Sequence, residues 1–223
     1  MTDGGVPIII RSGAPRHPEL APFSQPLLEP DAEADPFLQF AVWHSEAAPT
    51  TRIVEAAALA TANPAGKPSV RMVLVQGWDE RGFVFFTNYE SRKGRELGLR
   101  SAPASLLYYW DALGRQVRIE GVASKVTAAE SDDYFATRPR GAQLSAWASR
   151  QSTPIEDRVS LEQRADEVRR RFEGREVERP PWWGGYRLRP EVFEFWQNRD
   201  DRLHDRLVYA RQGDGWELLR LQP

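Results

Sequence analysis

Arg202, His204 and Arg206 stand at alternate positions, with Trp196 shortly before them across a polar stretch. Two extended runs, 192–197 and 202–209, flank that stretch and predict a β-hairpin. On a strand, alternate side chains share a face, so the two arginines and the histidine are expected to project together. Such a face is a donor-rich wall, suited to an anion and to a group that needs a proton nearby. Trp196 adds a flat apolar partner. The plainer alternative is a solvated basic edge strand.

Earlier residues add chemistry of the same kind. Arg71 opens the strand-like run Met72-Val73-Leu74-Val75-Gln76, Phe86-Thr87 ends the next run, and Arg92-Lys93 follow a helix-capping Ser91. An arginine on a strand, a hydroxyl at a strand end and a basic pair at a helix start converge on a bound phosphate. A solvated basic turn explains Arg92-Lys93 equally. Gln116 and Gln151-Ser152 are neutral donors and acceptors of the sort a heterocycle edge needs, or simply surface residues. Tyr134 and Arg138 are four apart on an expected helix, so they share a face suited to a second small anion, or they form a stacked surface pair. No glycine-rich phosphate loop is present, which argues against a Rossmann or P-loop nucleotide site.

Elements must hold these groups, and the sequence predicts mostly strands. Runs at 57–62, 69–77, 82–88, 104–110 and 116–126 are β-rich and separated by turn signals. Further strands are expected at 185–188, in the hairpin and at 216–221. Helical patterns cover 36 onward, a short stretch at 50–56, 92–100, 128–137, 141–149 and 154–173, with a Thr127-x-x-Glu130 capping box opening the fourth. Leu161, Ala165, Val168 and Phe172 form one apolar face of the last. Short turns between many strands predict an antiparallel barrel or sandwich, mainly β with flanking helices. Residues 1–34, proline-bearing and without periodicity, are expected to be a flexible arm, and 35–223 a single domain.

Composition narrows the classes. A formal net charge of −2 gives no global field for nucleic acid or an anionic membrane. Cysteine is absent, which excludes disulfides and thiolate chemistry, and His17, His44 and His204 lack metal-ligand spacing. The apolar run 6–10 is too short for a signal peptide or a membrane span. A cytoplasmic protein is the expectation.

Taken in order, Arg71-Met72-Val73-Leu74-Val75, Phe86-Thr87-Asn88, Ser91-Arg92-Lys93, Gly114-Arg115-Gln116-Val117, Tyr134-Phe135 with Arg138-Pro139-Arg140, Gln151-Ser152, Trp183-Gly184-Gly185-Tyr186 and Arg202-Leu203-His204-Asp205-Arg206 resemble the pyridoxamine 5′-phosphate oxidase family. The resemblance runs from about Asp35 onward. It implies an FMN-binding split β-barrel and a homodimer with the flavin in the interface. By the same resemblance FMN meets Arg71, Met72, Val73, Leu74, Phe86, Thr87, Arg92, Lys93, Gln116, Gln151, Ser152, Trp196 and Arg206. A phosphorylated ring substrate meets Gln76, Tyr134, Arg138 and Ala142, with Arg202 and His204 as the catalytic pair over its ring. The implied chemistry is hydride transfer to the flavin and reoxidation by dioxygen. Gln76 departs from the family's lysine on the substrate phosphate, Ala142 from a frequent serine, and the arm lacks an Arg-Arg-x-Tyr-like segment. Two other readings stand beside this one. One is a phenazine-biosynthesis-type oxidase acting on a different reduced ring; the other is a non-catalytic flavin-binding split barrel.

Overall fold

The computed structural model describes residues 26–98, 102–200 and 202–223. Eight strands form one antiparallel sheet: β1 Ala56–Ala62, β2 Pro68–Asp79, β3 Gly82–Asn88, β4 Ala102–Trp110, β5 Arg115–Lys125, β6 Trp183–Gln197, β7 Asp205–Gln212 and β8 Gly215–Arg220. Their order is β3-β2-β1-β4-β5-β6-β7-β8, and β6 also pairs back to β3. Six strands therefore close into a barrel, and β7 and β8 extend from it as a flap. Closure removes free edges, which suits short strands of alternating burial such as β1.

Among the described residues five α-helices cover this barrel: α1 Pro36–Ala47, α2 Arg92–Leu97, α3 Ala128–Thr137, α4 Arg140–Ala148 and α5 Arg158–Arg171. Asp35 caps α1 by accepting from the Phe37 N–H, and Pro36 occupies the first turn, where a missing N–H costs nothing. Phe40 then plugs the barrel, with ring centroids 4.9 Å from Trp78 and Phe83 and 5.0 Å from Tyr108. The Thr127–Glu130 capping box is present at α3. Helices α3 to α5 are inserted between β5 and β6, and pack Phe135, Ala146, Phe172 and Trp183 into a second, smaller core.

Strand β6 organises the molecule. Its first residues pair with β3, its later ones with β7, and β5 runs alongside both. The sequence predicts two strands here, 185–188 and 192–197, because Pro190 lies between them. One 15-residue strand forms instead. The register with β5 slips between Glu120 and Gly121, opposite Pro190, so the proline sits at a bulge where a missing ladder donor is tolerated. The two glycines after Trp183 are there for close approach. A Cβ on Gly184 would lie 2.0 Å from the Tyr89 hydroxyl, and one on Gly185 would lie 2.6 Å from Val126 and 2.9 Å from the Phe86 ring.

Three other expectations are corrected. Residues 50–56 are not helical: a 3-10 turn covers Ala48–Thr50 and β1 starts at Ala56. Arg202 and His204 are not on the second hairpin strand, because β7 begins only at Asp205 and Arg202 has a left-handed φ of 59°. The shared face with Arg206 is therefore lost. Of the expected arm, residues 1–25 lie outside the described residues, and 26–34 are docked. The Leu27 N–H donates to Asp205 Oδ2 at 3.2 Å, Arg220 holds Glu29 and the Leu27 carbonyl, each at 2.7 Å, and the Tyr209 hydroxyl donates to the Glu33 carbonyl at 2.7 Å. Among the described residues no helix is long and apolar enough to cross a membrane, and no cluster of His, Asp and Glu could hold a metal ion.

Candidate active site

A cleft of about 450 Å³ opens where β2 and β3 meet α4 and the start of β6. It gathers Met72, Val73, Leu74, Gln76, Phe86, Thr87, Lys93, Tyr134, Arg138 and Gln151 of the expected site residues. It adds Asn88, Ser145, Ala146, Ser149 and Trp183, which the sequence reading missed as site residues. Ser145 lies on α4 and Ser149 is the extended residue that ends it, so no helical spacing marked the pair in the sequence.

Two cationic groups reach this cleft, each with its own surroundings. Lys93 belongs to the first. Ser91 caps α2 by accepting from the Gly94 N–H, which aims the first turn of the helix into the cleft. The Lys93 ammonium donates to Gln151 Oε1 at 2.8 Å and to Thr87 Oγ1 at 3.0 Å, and has no carboxylate partner among the described residues. Burial, with a smaller push from the Arg71 guanidinium, lowers its pKa to about 8.

Arg71 and Arg92 do not line the cleft. Both are tied to Glu96, a nearly buried carboxylate on α2 that the sequence reading passed over. Glu96 Oε2 accepts from Thr61 at 2.6 Å, Ser69 at 2.7 Å and Arg71 at 3.2 Å, and Oε1 accepts from Arg92 at 3.0 Å. Burial alone would push its carboxyl up, but these hydrogen bonds hold it down at about 2. The i,i+4 spacing of Arg92 and Glu96 was the one legible sign of this network.

Arg138 is the second cation. It lies just beyond the end of α3, with its guanidinium carbon 4.5 Å from the Trp183 ring centroid. Nη1 is enclosed and has no hydrogen-bond partner, and no carboxylate pairs with the side chain among the described residues. Burial lowers its pKa, while neighbouring Tyr134 opposes that shift. Phe86, Tyr134 and Trp183 form a slab of near-parallel rings, with Phe86 and Tyr134 centroids only 3.9 Å apart. Gln76 is the extra residue of a β-bulge between Val75 and Gly77, and it lines the cleft on the same face of β2 as Met72 and Leu74.

The remaining site residues form a separate group. Gln116, Trp196 and Arg206 lie side by side across β5, β6 and β7. His204 packs on Trp196, ring centroids 4.6 Å apart, and its Nδ1 accepts from the Arg199 N–H at 3.1 Å. Arg206 Nε donates to the buried Glu194 at 2.7 Å, and Nη1 to the Gln222 carbonyl at 2.9 Å. Arg202 is exposed in the loop. Ser152 and Ala142 lie outside the cleft lining too, but Ser152 shares one property with Arg202. These two are the non-glycine residues with positive φ among the described residues, at 68° and 59°. Such strain concentrates at functional positions.

Trp183 in the cleft and Trp196 in the hairpin group are at opposite ends of β6, roughly 40 Å apart along the strand. One chain thus carries two separate groups of the expected site residues. The fold is a closed antiparallel barrel, and its aromatic cleft holds two cations that have no carboxylate partner among the described residues. Comparison with known proteins narrows this. The family model described as "Pyridoxamine 5'-phosphate oxidase" matches residues 46–172, and that described as "Pyridoxine 5'-phosphate oxidase C-terminal dimerisation region" matches residues 183–223. A protein of Rubrobacter xylanophilus named pyridoxine/pyridoxamine 5'-phosphate oxidase is 59% identical over 199 residues, covering 88% of this chain and 91% of its own. A protein of the same name from Bordetella pertussis is 57% identical over 200 residues, 88% of this chain and 93% of its own. The crystal structure of PhzG from Burkholderia lata, in complex with tetrahydrophenazine-1-carboxylic acid, superposes with a TM-score of 0.82 at 37% identity, covering 88% of this chain and 98% of that one. The chain belongs to the pyridoxamine 5′-phosphate oxidase family.

Proposed function

We propose that the protein is an FMN-dependent oxidase that converts pyridoxine and pyridoxamine 5′-phosphates to pyridoxal 5′-phosphate, with dioxygen as the final acceptor and hydrogen peroxide as co-product. The observation that carries this is the pair of cations, Lys93 and Arg138, left without carboxylates in one aromatic cleft. A buried cation without a counter-ion is costly unless a ligand supplies the anion. Two such cations with different neighbours fit two phosphates, one on the cofactor and one on the substrate. The close relatives carry the matching name.

In this reading Lys93, Thr87 and Gln151 hold the FMN phosphate and its nearby hydroxyls. Arg71 and Arg92, fixed by Glu96, supply positive potential behind them. FMN, when bound, accepts two electrons and a hydrogen from the substrate carbon and passes the electrons to dioxygen. Arg138 and Tyr134 hold the substrate phosphate, far enough from the reacting carbon that their binding acts on ground state and transition state alike.

A second copy completes the site. Along β2 the outward residues Val70, Met72 and Leu74 are 69%, 63% and 47% exposed, an apolar stripe that a partner should cover. Met72 and Leu74 also line the cleft, so the cleft opens on that stripe. The partner's hairpin group then supplies what the cleft lacks: Gln116, Trp196 and Arg206 toward the flavin, and Arg202 and His204 over the substrate ring. Two FMN per dimer follow.

Lys93 sets a pH signature. Its folded pKa is lowered, so between about pH 8 and its ordinary value the unfolded chain holds the extra proton. This group therefore makes the flavin-free protein gain stability as pH rises through that window. Phosphate binding favours the charged ammonium, so FMN affinity should move the other way. At pH 9 it should be weaker than at pH 7 by about tenfold, with proton uptake on binding. Calorimetric titration of apoprotein with FMN in buffers of different ionisation enthalpy reads both; affinity flat from pH 7 to 9 would remove Lys93 from the phosphate.

Gln76 gives a second test. A neutral amide is roughly half as strong a partner for phosphate as an ammonium. Gln76→Lys should lower KM for pyridoxine 5′-phosphate several-fold with kcat little changed. The rival reading is a PhzG-like oxidase of a reduced tricyclic ring, which Gln76 and the likeness to the PhzG structure favour. It predicts instead that Gln76→Lys leaves phosphate-substrate kinetics poor and damages turnover of a dihydrophenazine carboxylate.

A further inference from the structure

An arginine with an enclosed guanidinium nitrogen is ordinarily held by a carboxylate, and half-buried Arg138 has none among the described residues. Its Nη1 is enclosed without a partner, and the groups against its guanidinium are aromatic faces, Trp183 at 4.5 Å and Phe135 at 5.6 Å. Trp183 is firmly fixed. It is buried, stacked on Phe86 at 5.5 Å with 13° between the planes, and met edge-on by Phe135 at 5.2 Å. Its backbone N–H donates to the Pro180 carbonyl at 3.0 Å, and its own carbonyl accepts from Arg179 at 2.7 Å. The glycines that follow let the strand bring this ring against α3.

We propose that Trp183 is a positioning residue for substrate-phosphate binding: its ring face holds the Arg138 guanidinium in place of a carboxylate. The inference rests on the assignment of Arg138 to the substrate phosphate. A carboxylate would orient the guanidinium equally well, but it would cancel its charge and repel an incoming dianion. The indole is the aromatic face that attracts a cation best, and it does so through its quadrupole without occupying a guanidinium N–H. Arg138 thereby stays oriented and charged, with Nη1 reserved for the ligand. The rest of the cleft makes this matter more: Gln76 brings no charge, so the substrate phosphate has Arg138 as its principal cation.

The test replaces Trp183 with tryptophans bearing one, two and three ring fluorines, which weaken the quadrupole with little change of shape. It is run on the FMN-loaded enzyme, with Trp183→Leu and Arg138→Leu alongside. KM for pyridoxine 5′-phosphate and the inhibition constant of inorganic phosphate should rise step by step with fluorine number, reaching about ten- to thirtyfold in Trp183→Leu. kcat should move much less, and KM for unphosphorylated pyridoxine should not follow the fluorine series. A flat series, or equal losses on phosphorylated and unphosphorylated substrate, would overturn the role of Trp183. If Arg138→Leu itself leaves the phosphate-substrate KM unchanged, the assignment beneath the inference fails and both fall. If Arg138→Leu raises KM while the fluorine series is flat, only the inference about Trp183 fails.

Discussion

Val70→Asp should leave the barrel folded and strip it of flavin. Val70 is 69% exposed on β2 in the single chain, so a carboxylate there is fully hydrated and costs the protomer's fold little. In the dimer the same position lies on the apolar stripe beside Met72 and Leu74. An unpaired carboxylate buried in such a surface costs several kcal/mol. A two-fold interface carries the substitution twice. Dimerisation should weaken by more than about a hundredfold. In the proposed dimer each site joins the cleft of one chain to the hairpin group of the other, because the two groups are on opposite ends of β6. FMN affinity and turnover should therefore fall together with the dimer. Sedimentation and FMN fluorescence titration on the same preparations check this, and a monomer that binds FMN as tightly as the native protein would show that one chain suffices.

Arg138→Ala should raise KM for the phosphorylated substrates by about ten- to a hundredfold, the loss expected when charge-assisted bonds of roughly 1.5–3 kcal/mol are removed without replacement. Turnover of unphosphorylated pyridoxine should be nearly untouched. The stability of the ligand-free protein should change in an unexpected direction for an arginine of a packed site. Because Arg138 has an enclosed Nη1 and no carboxylate, its removal relieves a desolvation cost, and the melting temperature should stay level or rise. A drop in melting temperature with unchanged KM would make Arg138 a structural residue.

Much of the frame was legible because its signals are local. β3 falls where turn signals bound it, the Thr127–Glu130 box opens α3, and Leu161, Ala165, Val168 and Phe172 do turn inward from α5. Motif order and residue type picked out residues that the fold brings together in one cleft, Lys93, Tyr134 and Arg138 among them. What was lost depends on the third dimension. Strand alternation promised Arg202 and His204 a common face with Arg206, but β7 starts one residue after His204 and Arg202 turns left-handed. Pro190 read as a break because nothing local says that a bulge will stand opposite it. Glu96 was passed over in the sequence; only the packing of α2 against the barrel buries it between Arg71, Arg92, Thr61 and Ser69. That Arg138 meets aromatic rings and, among the described residues, no carboxylate could not be read from a sequence rich in acidic residues.

The central claim is that this cleft, with FMN, oxidises phosphorylated pyridoxine derivatives at the expense of dioxygen. Its most direct test is to load the protein with FMN, add pyridoxine 5′-phosphate, and follow oxygen consumption and pyridoxal 5′-phosphate formation in one vessel. One aldehyde and one hydrogen peroxide should form for each dioxygen consumed. A flavin-loaded protein that consumes no dioxygen with either pyridoxine or pyridoxamine 5′-phosphate, yet turns over a dihydrophenazine carboxylate, would contradict it.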